Sequence, residues 1–430
     1  MKLFPRPALL HRIRPHYEDG RVKVLTGLRR SGKSSLLRLI AEDMRKELDR
    51  PAEDFFFLDC EDFSLRGFTD PRILHRFVLE SAKIAEKRLT VFLDEVDNVE
   101  SWERVVALLL DENVCDLFVT ASNVDPFSEE GASLLDSRTV SFEVTPYSFR
   151  EYRAVRKQVC PEASEEKLWR DYLLWGGMPD VANCAVPADA GLRLIDIFRS
   201  ILLRDVTHRC RVRDTRALET TIAILAERIG KRISLEELSL FLRSERISVS
   251  AETLADYVRG ASDAFLLAEI EGADTVGKAR FRFRPRGYLA DHGFRQALCL
   301  GLNERDPEPV LENIVRMELR RRGWEVHYGT KKERYADFIA EKTGKRLTLQ
   351  VARFLDSPEA ADRAFAPFYG LRDNFSNIVL SLDPVQRPPD GFRHENLRDW
   401  LLKDDPEETG RGPGRKNAPK GPTSRSVRTE

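Results

Sequence analysis

Gly27-Leu28-Arg29-Arg30-Ser31-Gly32-Lys33-Ser34 fits the spacing GxxxxGK[ST], and what flanks it fits as well. The run Val22–Thr26 before it is rich in strand-forming residues. Ser35–Met44 after it has helical periodicity, with Leu36, Leu37, Leu39 and Ile40 available for a buried face. Glycines let a loop curl so that successive backbone N–H groups face inward onto phosphate oxygens. The helix that follows adds the positive end of its dipole. Gly27, Leu28, Arg29, Arg30, Ser31, Gly32, Lys33, Ser34 and Ser35 are therefore the candidate nucleotide-binding residues. Lys33 is expected to reach the β- and γ-phosphates and Ser34 to ligate Mg²⁺, which makes ATP and Mg²⁺ the expected ligands.

Working outward, Leu89-Thr90-Val91-Phe92-Leu93-Asp94-Glu95 is an apolar strand ending in two acids. A strand covered on both faces should be continuously apolar. Asp94 at its end is the second candidate for the Mg²⁺ shell. Glu95 is placed to activate a water as general base, which points to hydrolysis rather than transfer to a small molecule. Leu117–Thr120 is followed by Ala121-Ser122-Asn123, where Ser122 or Asn123 is the expected γ-phosphate sensor. Asp59 closes the Phe55–Leu58 run at the same sheet edge, in a supporting position. Arg138 is the candidate cation for the γ-phosphate, acting in cis or from a neighbouring copy. With Val140–Val144 there are five strand-like runs separated by helical patterns, which predicts an α/β fold, a parallel sheet with flanking helices.

The chain is 430 residues long, enough for several domains, and its 70 Lys+Arg nearly cancel its 71 Asp+Glu. That balance excludes a strongly basic nucleic-acid binder but not a local basic surface. No apolar window approaches the roughly 18 residues of a membrane span. Met1 to Tyr17 is broken by prolines and lacks a signal peptide's apolar core. The six cysteines are widely spaced with no CxxC, as expected of thiols in a reducing compartment. A cytoplasmic protein without membrane contact follows. The composition divides the chain into an ATPase core over 1–150, a helical extension over 151–215, a segment of short helices then strands over 216–288, a second α/β unit over 289–402, and a tail over 403–430. The tail is rich in Gly, Pro, Lys and Arg and is expected to be disordered.

The ordered set of motifs resembles the prokaryotic AAA-superfamily P-loop ATPases that carry a C-terminal DUF4143 domain. The matching pieces are the Gly27–Ser34 loop, Leu93-Asp94-Glu95-Val96, Thr120-Ala121-Ser122-Asn123, Leu134–Arg138 and Thr145–Glu151. Trp175-Gly176-Gly177-Met178-Pro179, Leu203-Arg204-Asp205-Val206 and Arg286–Gly293 complete them. Ser137 stands where that family usually has Gly. The resemblance implies an AAA+-like ATPase core, then a winged-helix segment, then a degenerate PD-(D/E)XK nuclease-like α/β domain.

The residues themselves support parts of this. Ser234-Leu235-Glu236-Glu237 is a capping box opening one helix, and Ser250 caps a second that ends near Gly260. Phe265–Glu269 and Arg280–Phe283 are expected to form a wing. Arg280, Arg282, Arg284 and Arg286 alternate onto one strand face and make a phosphate surface, so DNA is an expected partner; the weakly basic second helix favours protein contact, with homo-oligomerisation open. In the last unit Asp337 fits a nuclease carboxylate, but Gln350-Val351-Ala352 stands where E-x-K is needed, and Arg353 points to the other strand face. Nuclease activity is therefore not expected. The expected function is a Mg-dependent ATP-hydrolysing switch acting on a DNA-associated module; the alternative is an assembly switch with little turnover and no DNA.

Overall fold

The five runs become five parallel strands: Val22–Thr26, Leu89–Asp94 and Cys115–Ala121 are covered on both faces, while Phe55–Asp59 and Thr139–Glu143 are only partly buried. The structure is a computed structural model and describes residues 3–403, apart from 63–69, 86–87, 128, 136, 185–188, 208–211, 213, 275–279, 300, 332–333, 370–375, 386–387 and 390. The tail from 404 onward lies outside the described residues. The first unit runs α1 (Pro7–Ile13), β1 (Val22–Thr26), α2 (Lys33–Glu47), β2 (Phe55–Asp59), α3 (Pro71–Ile84), β3 (Leu89–Asp94), α4 (Trp102–Glu112), β4 (Cys115–Ala121), α5 (Glu129–Leu134) and β5 (Thr139–Glu143). The strand order is β2-β3-β4-β1-β5, parallel throughout. Successive side chains leave opposite faces. Leu25, Phe92 and Phe118 pack under α1 and α2, while Val24, Val91, Leu93 and Val119 pack under α3 and α4. A buried ion pair interrupts this core: Lys23 on β1 pairs with Asp116 on β4 and lies over the Phe118 ring. Burial pushes the Asp116 carboxyl up and the Lys23 ammonium down in pKa.

Parallel pairing puts all strand carboxyl ends on one edge. Gly27, Asp59, Asp94 and Ser122 follow or close strands there. Arg138 precedes β5, where its carbonyl accepts from Val22 N at the opposite edge (2.9 Å).

The helical extension comprises α6 (Phe149–Val159), α7 (Glu165–Trp175), α8 (Pro179–Ala182) and α9 (Ala190–Ile201), which runs into a π-type turn at Leu202–Val206. A full capping box starts α6: Ser148 and Glu151 satisfy each other's backbone N–H. The Glu151 carboxylate also accepts from Arg6 (2.8 and 3.1 Å), fastening the N-terminal segment to the extension. Between α7 and α8 the chain needs glycine. A Cβ on Gly177 would sit 2.1 Å from the Tyr147 carbonyl oxygen, and Gly176 has φ +74°.

Next come α10 (Thr215–Glu227), α11 (Leu235–Ser244), α12 (Ala251–Asp263), β6 (Leu267–Asp274) and β7 (Arg280–Leu289). Ser234 and Ser250 cap α11 and α12 as expected. The reciprocal half of the expected Ser234 box is not made, because Glu237 pairs with Arg228 instead. Arg232, just before α11, forms an antiparallel bridge to Arg286 on β7. The chain ends through α13 (Gly293–Leu298), α14 (Leu302–Arg305), α15 (Glu308–Arg321), β8 (Glu325–Lys331), β9 (Arg334–Lys342), β10 (Lys345–Val351), α16 (Pro358–Phe365), β11 (Ser376–Ser381), β12 (Arg393–Asn396) and α17 (Leu397–Leu402).

The boundary drawn at 288/289 does not separate two sheets. β6 pairs in parallel with β8, giving one seven-stranded sheet of order β12-β11-β10-β9-β8-β6-β7. One hydrophobic core runs from Phe4 and Leu28 through the extension to Trp400. Hydrophobic periodicity reads each element's buried face but not its partner, which is why the junction was invisible in sequence. Among the described residues no helix is long and apolar enough to cross a membrane.

Candidate nucleotide-binding site

The loop between β1 and α2 is shaped by its glycines. Gly27 has φ +149° and would place a Cβ 2.3 Å from Val144 O; Gly32 has φ +102° and caps α2. Lys33 is buried at the first position of α2. Its Nζ donates to Gly27 O (3.1 Å) and Leu28 O (3.4 Å), and to Ser122 Oγ (2.8 Å). Ser122 Oγ in turn donates to both carboxylate oxygens of Glu95 (3.1 and 3.0 Å), and Lys33 Nζ lies 3.4 Å from Glu95 Oε1. Lysine from the start of α2 and serine and glutamate from just beyond two strand ends thus form one connected, largely buried chain. Of the two sensor candidates the fold brings Ser122 into this chain. Asn123 faces a cleft beside Asp97, Glu103 and Asp125.

Asp94 sits at the centre of the edge. Burial raises its pKa; hydrogen bonds from Ser34 and Thr120 work against that, while the charges of Glu95 and Asp59 add to it. Asp59 is therefore a neighbour of the site, in register with Asp94, and not a direct member. The donor set fits a Mg²⁺-nucleotide: a serine hydroxyl against a carboxylate supplies the hard oxygens that Mg²⁺ prefers. The buried Ser31 hydroxyl is without a partner inside the loop, as expected of a group aimed at phosphate oxygens.

Two features were missed in sequence. Thr120 Oγ1 donates to Asp94 Oδ1 (2.6 Å) and accepts from Glu95 N (2.7 Å), so one buried hydroxyl orients both acids. Its place in the segment before Ser122 was the available signal. The two loop arginines also have unforeseen partners on the helical extension. Arg29 holds Asp205 in the π-type turn (3.0 Å) and Glu61 beyond β2 (2.8 Å), and Arg30 pairs with Asp180 on α8 (3.0 Å). Ser35, in the first turn of α2, is half-buried.

Arg138 lies apart from these residues. It pairs with Asp111 (2.9 Å) on the far edge of the sheet. The five residues of β5 put about 17 Å between that edge and the loop, a separation that a neighbouring copy's arginine would not face. Ser137 has φ +58°, the left-handed region that glycine adopts most easily.

Comparison with known proteins agrees with this geometry. Residues 19–153 match the AAA_14 family, described as an AAA domain. Residues 166–306 match a domain of unknown function, DUF8612. The second match corrects the expectation of DUF4143: the glycine turn, Leu203–Val206 and Arg286–Gly293 that carried that resemblance fall within the DUF8612 match. An uncharacterized protein of Haemophilus influenzae is 30% identical over 383 residues, covering 89% of this chain and 94% of its own. The uncharacterized protein MJ1544 of Methanocaldococcus jannaschii is 25% identical over 341 residues, covering 76% and 74%. Among solved structures, the Aeropyrum pernix ORC2 protein aligns with TM-score 0.39 and 12% identity, over 69% of this chain and 93% of that one. A mutant of Thermotoga maritima RuvB aligns with TM-score 0.32 and 14% identity, over 64% and 88%. The chain belongs to the family of the Haemophilus influenzae protein and carries an AAA_14-type AAA domain followed by a DUF8612 domain.

Proposed function

We propose that the protein hydrolyses ATP and uses the nucleotide state to control the units that follow the AAA domain. The observation that carries this is the Lys33–Ser122–Glu95 chain beside Asp94, Ser34 and Thr120. In this reading the loop N–H groups and Lys33 bind the phosphates, and Ser34 and Asp94 hold Mg²⁺. Glu95 takes a proton from water as the water oxygen bonds to the γ-phosphorus. The bond to the bridging oxygen breaks, leaving ADP and inorganic phosphate. Mg²⁺, when bound, supplies charge neutralisation on the β- and γ-oxygens. Ser122 holds Glu95 in place and reports on the γ-phosphate through Lys33.

The control reading rests on direct connections. Val124, two residues past Ser122, donates its N–H to Asp263 O at the end of α12 (2.9 Å). The order helix, short bridge, helix, helix, hairpin over 215–289 supports the winged-helix reading. On α12, Glu252 and Arg259 are exposed and Asp256 half-buried, a poor DNA-reading face. Arg286, expected on a phosphate surface, is half-buried with its guanidinium over the Tyr328 ring. The side chains of Arg280, Arg282 and Arg284 lie outside the described residues. DNA contact therefore remains the expectation of the segment's shape and local basicity.

Phosphate release from ATP with Mg²⁺, with and without duplex DNA at two salt concentrations, tests both halves. Equal release by wild type and Lys33→Ala rejects hydrolysis. No DNA binding at low salt rejects the nucleic-acid half, since phosphate contacts strengthen there. The far-edge position of Arg138 favours one second reading, an assembly switch in which a neighbour's Arg138 completes the site. Glu95→Gln would then enlarge the oligomer in ATP.

A further inference from the structure

We infer that Arg29 is a catalytic cation supplied in cis, gripping the γ-phosphate from within the loop itself. The inference rests on the reading of this site as an ATP hydrolase. Arg29 is the third residue of the loop, between its two glycines. The chain reverses around it: Ser31 N bonds back to Leu28 O (3.1 Å), and Arg30 has φ +64°. The Arg29 guanidinium is held by carboxylates from two sides, Glu61 just beyond the second strand and Asp205 on the helical extension. Nη1 donates to Glu61 Oε1 (2.8 Å), Nε to Asp205 Oδ2 (3.0 Å) and Nη2 to Asp205 Oδ1 (3.1 Å). Glu61 lies two residues past Asp59, which is in register with Asp94, and its N–H is anchored on Asp59 Oδ1 (2.9 Å). Arg29 and Asp205 both feel the charge of Glu95, and Asp205 that of Lys33. Arg29 thus joins Lys33 in the neighbourhood of the water-activating carboxylate. Arg30 faces outward to Asp180, with 54% of its side chain exposed.

The chemistry of the site calls for such a group. Charge spreads over the three γ-oxygens as the bond to the bridging oxygen breaks, and an arginine there stabilises it more than it stabilises the ground state. The planar fork suits phosphate as it suits carboxylate. Arg29 already holds Asp205 in that geometry, with Glu61 on a single further bond, so gripping the phosphate exchanges one bidentate partner for another. Burial works against its charge, yet the bonds to Asp205 and Glu61 keep its pKa above the ordinary value, so it stays cationic throughout. Because Asp205 belongs to the helical extension, the exchange also slackens the tie between loop and extension when the γ-phosphate is present.

The test uses the full chain and three readouts: steady-state hydrolysis, affinity for ADP against ATPγS, and mixing of variants. Arg29→Ala is expected to lower kcat about 10³-fold while leaving ADP affinity within about threefold, and to remove the preference for ATPγS over ADP. Arg29→Lys should restore part of that preference. Arg29→Ala combined with Asp205→Ala removes both ends of the ion pair; turnover should stay low, and its recovery would make the pair structural and overturn the proposal. Mixing Arg29→Ala with Lys33→Ala should rescue nothing, because the two groups serve the same bound nucleotide; rescue would place Arg29 in trans and overturn the assignment. Full kcat in Arg29→Ala also overturns it. If the wild type binds nucleotide without turnover, the hydrolase reading fails by itself. Arg29 is then judged by the ATPγS preference: lost in the variant, the contact stands; kept, it falls.

Discussion

Replacing Thr120 with valine keeps the shape of a fully buried side chain and deletes two hydrogen bonds, one to each acid of the site. Thr120 Oγ1 donates to Asp94 Oδ1 at 2.6 Å and accepts from Glu95 N at 2.7 Å. Losing the bond to a carboxylate costs about 1.5–3 kcal/mol, and leaving the Glu95 N–H unpaired about 1–3 kcal/mol. That N–H belongs to a residue at φ +52°, a left-handed backbone that costs a non-glycine residue roughly 1–2 kcal/mol and needs the bond to hold it. The expected loss of stability is thus about 3–5 kcal/mol.

The functional effect has a separate signature. Burial already raises the pKa of Asp94, and the Thr120 bond is one of two opposing it. Removing it raises the carboxyl further, by about one unit for each 1.4 kcal/mol lost. Proton and metal compete for the same oxygens. A Mg²⁺ titration of phosphate release between pH 5.5 and 8 should therefore show a weaker metal midpoint, about tenfold, and an acid limb moved up by about one unit. Thr120→Ser keeps both bonds and loses only a methyl group, at a cost of about 1 kcal/mol, so its metal midpoint should match wild type. If Thr120→Val unfolds more easily in urea but keeps the wild-type midpoint and acid limb, Thr120 only supports the fold and the positioning argument is wrong.

The other predictions concern the frame that holds the site. Gly177→Ala drives a methyl to 2.1 Å from Tyr147 O, in a turn pinned by Tyr147 N on Gly177 O (2.8 Å) and Gly177 N on Asp291 Oδ2 (2.7 Å). It should cost about 3 kcal/mol in urea unfolding. Gly344→Ala meets open space at φ +73° and should cost only the backbone strain of about 1–2 kcal/mol; equal losses would remove the steric argument. Lys23→Met strands the buried Asp116 and should cost about 3–5 kcal/mol, most of it recovered in Lys23→Met with Asp116→Leu; additive losses in the double variant would contradict this. His292 is buried with Nε2 on Tyr172 O (2.6 Å), and burial pushes it down to about 4. Its contribution is present above its ordinary value of about 6.5 and is lost as pH falls through 4, roughly 3 kcal/mol in all. The neighbouring Asp291, pushed up to about 6 by burial, works the other way, gaining stability as pH falls from about 6. The informative quantity is therefore the gap between wild type and His292→Gln, in which Asp291 largely cancels. It should shrink by about 3 kcal/mol from pH 7 to pH 4, and a constant gap refutes the reasoning.

Legibility in the sequence followed contact range. The strand runs at Val22, Leu89 and Leu117 were readable because double-sided burial makes them largely apolar, and those at Phe55 and Val140, only partly buried, through their strand-forming residues. Lys33, Ser34, Asp94 and Glu95 were readable because local spacing places them at strand ends. The residues that complete the site come from far along the chain. Asp205 reaches Arg29 across 176 positions, and nothing in Leu203–Val206 names that partner. Even at short range the pattern underdetermines the pairing. Ser234 and Glu237 have the spacing of a capping box and make half of one, while Ser148 and Glu151, whose spacing is the same, make a whole one that also holds Arg6.

The last unit shows how a reading from local spacing alone can miss what packs beside a residue. On the nuclease-like reading Gln350 and Ala352 stand where an acid and a lysine are needed, which leaves Asp337 as its single carboxylate. Yet a second carboxylate is present. Glu312, from α15, lies beside Asp337, and burial raises the pKa of both. Asp337 accepts from Val351 N (2.8 Å), and Tyr288 donates to Glu312 (3.4 Å). The positive charge facing both acids is Arg286, with Lys231 behind it. Arg286 is the residue whose alternation along β7 suggested a solvated phosphate surface. Alternation fixes which residues share a face but not what covers that face, and here α15 and β9 supply the acids that do. A divalent cation at this place would have to displace a half-buried guanidinium stacked on Tyr328, and a phosphate would have to approach past two carboxylates. Arg286 therefore binds the hairpin to the last sheet, in keeping with the β6–β8 pairing that joins the same two parts through their backbones.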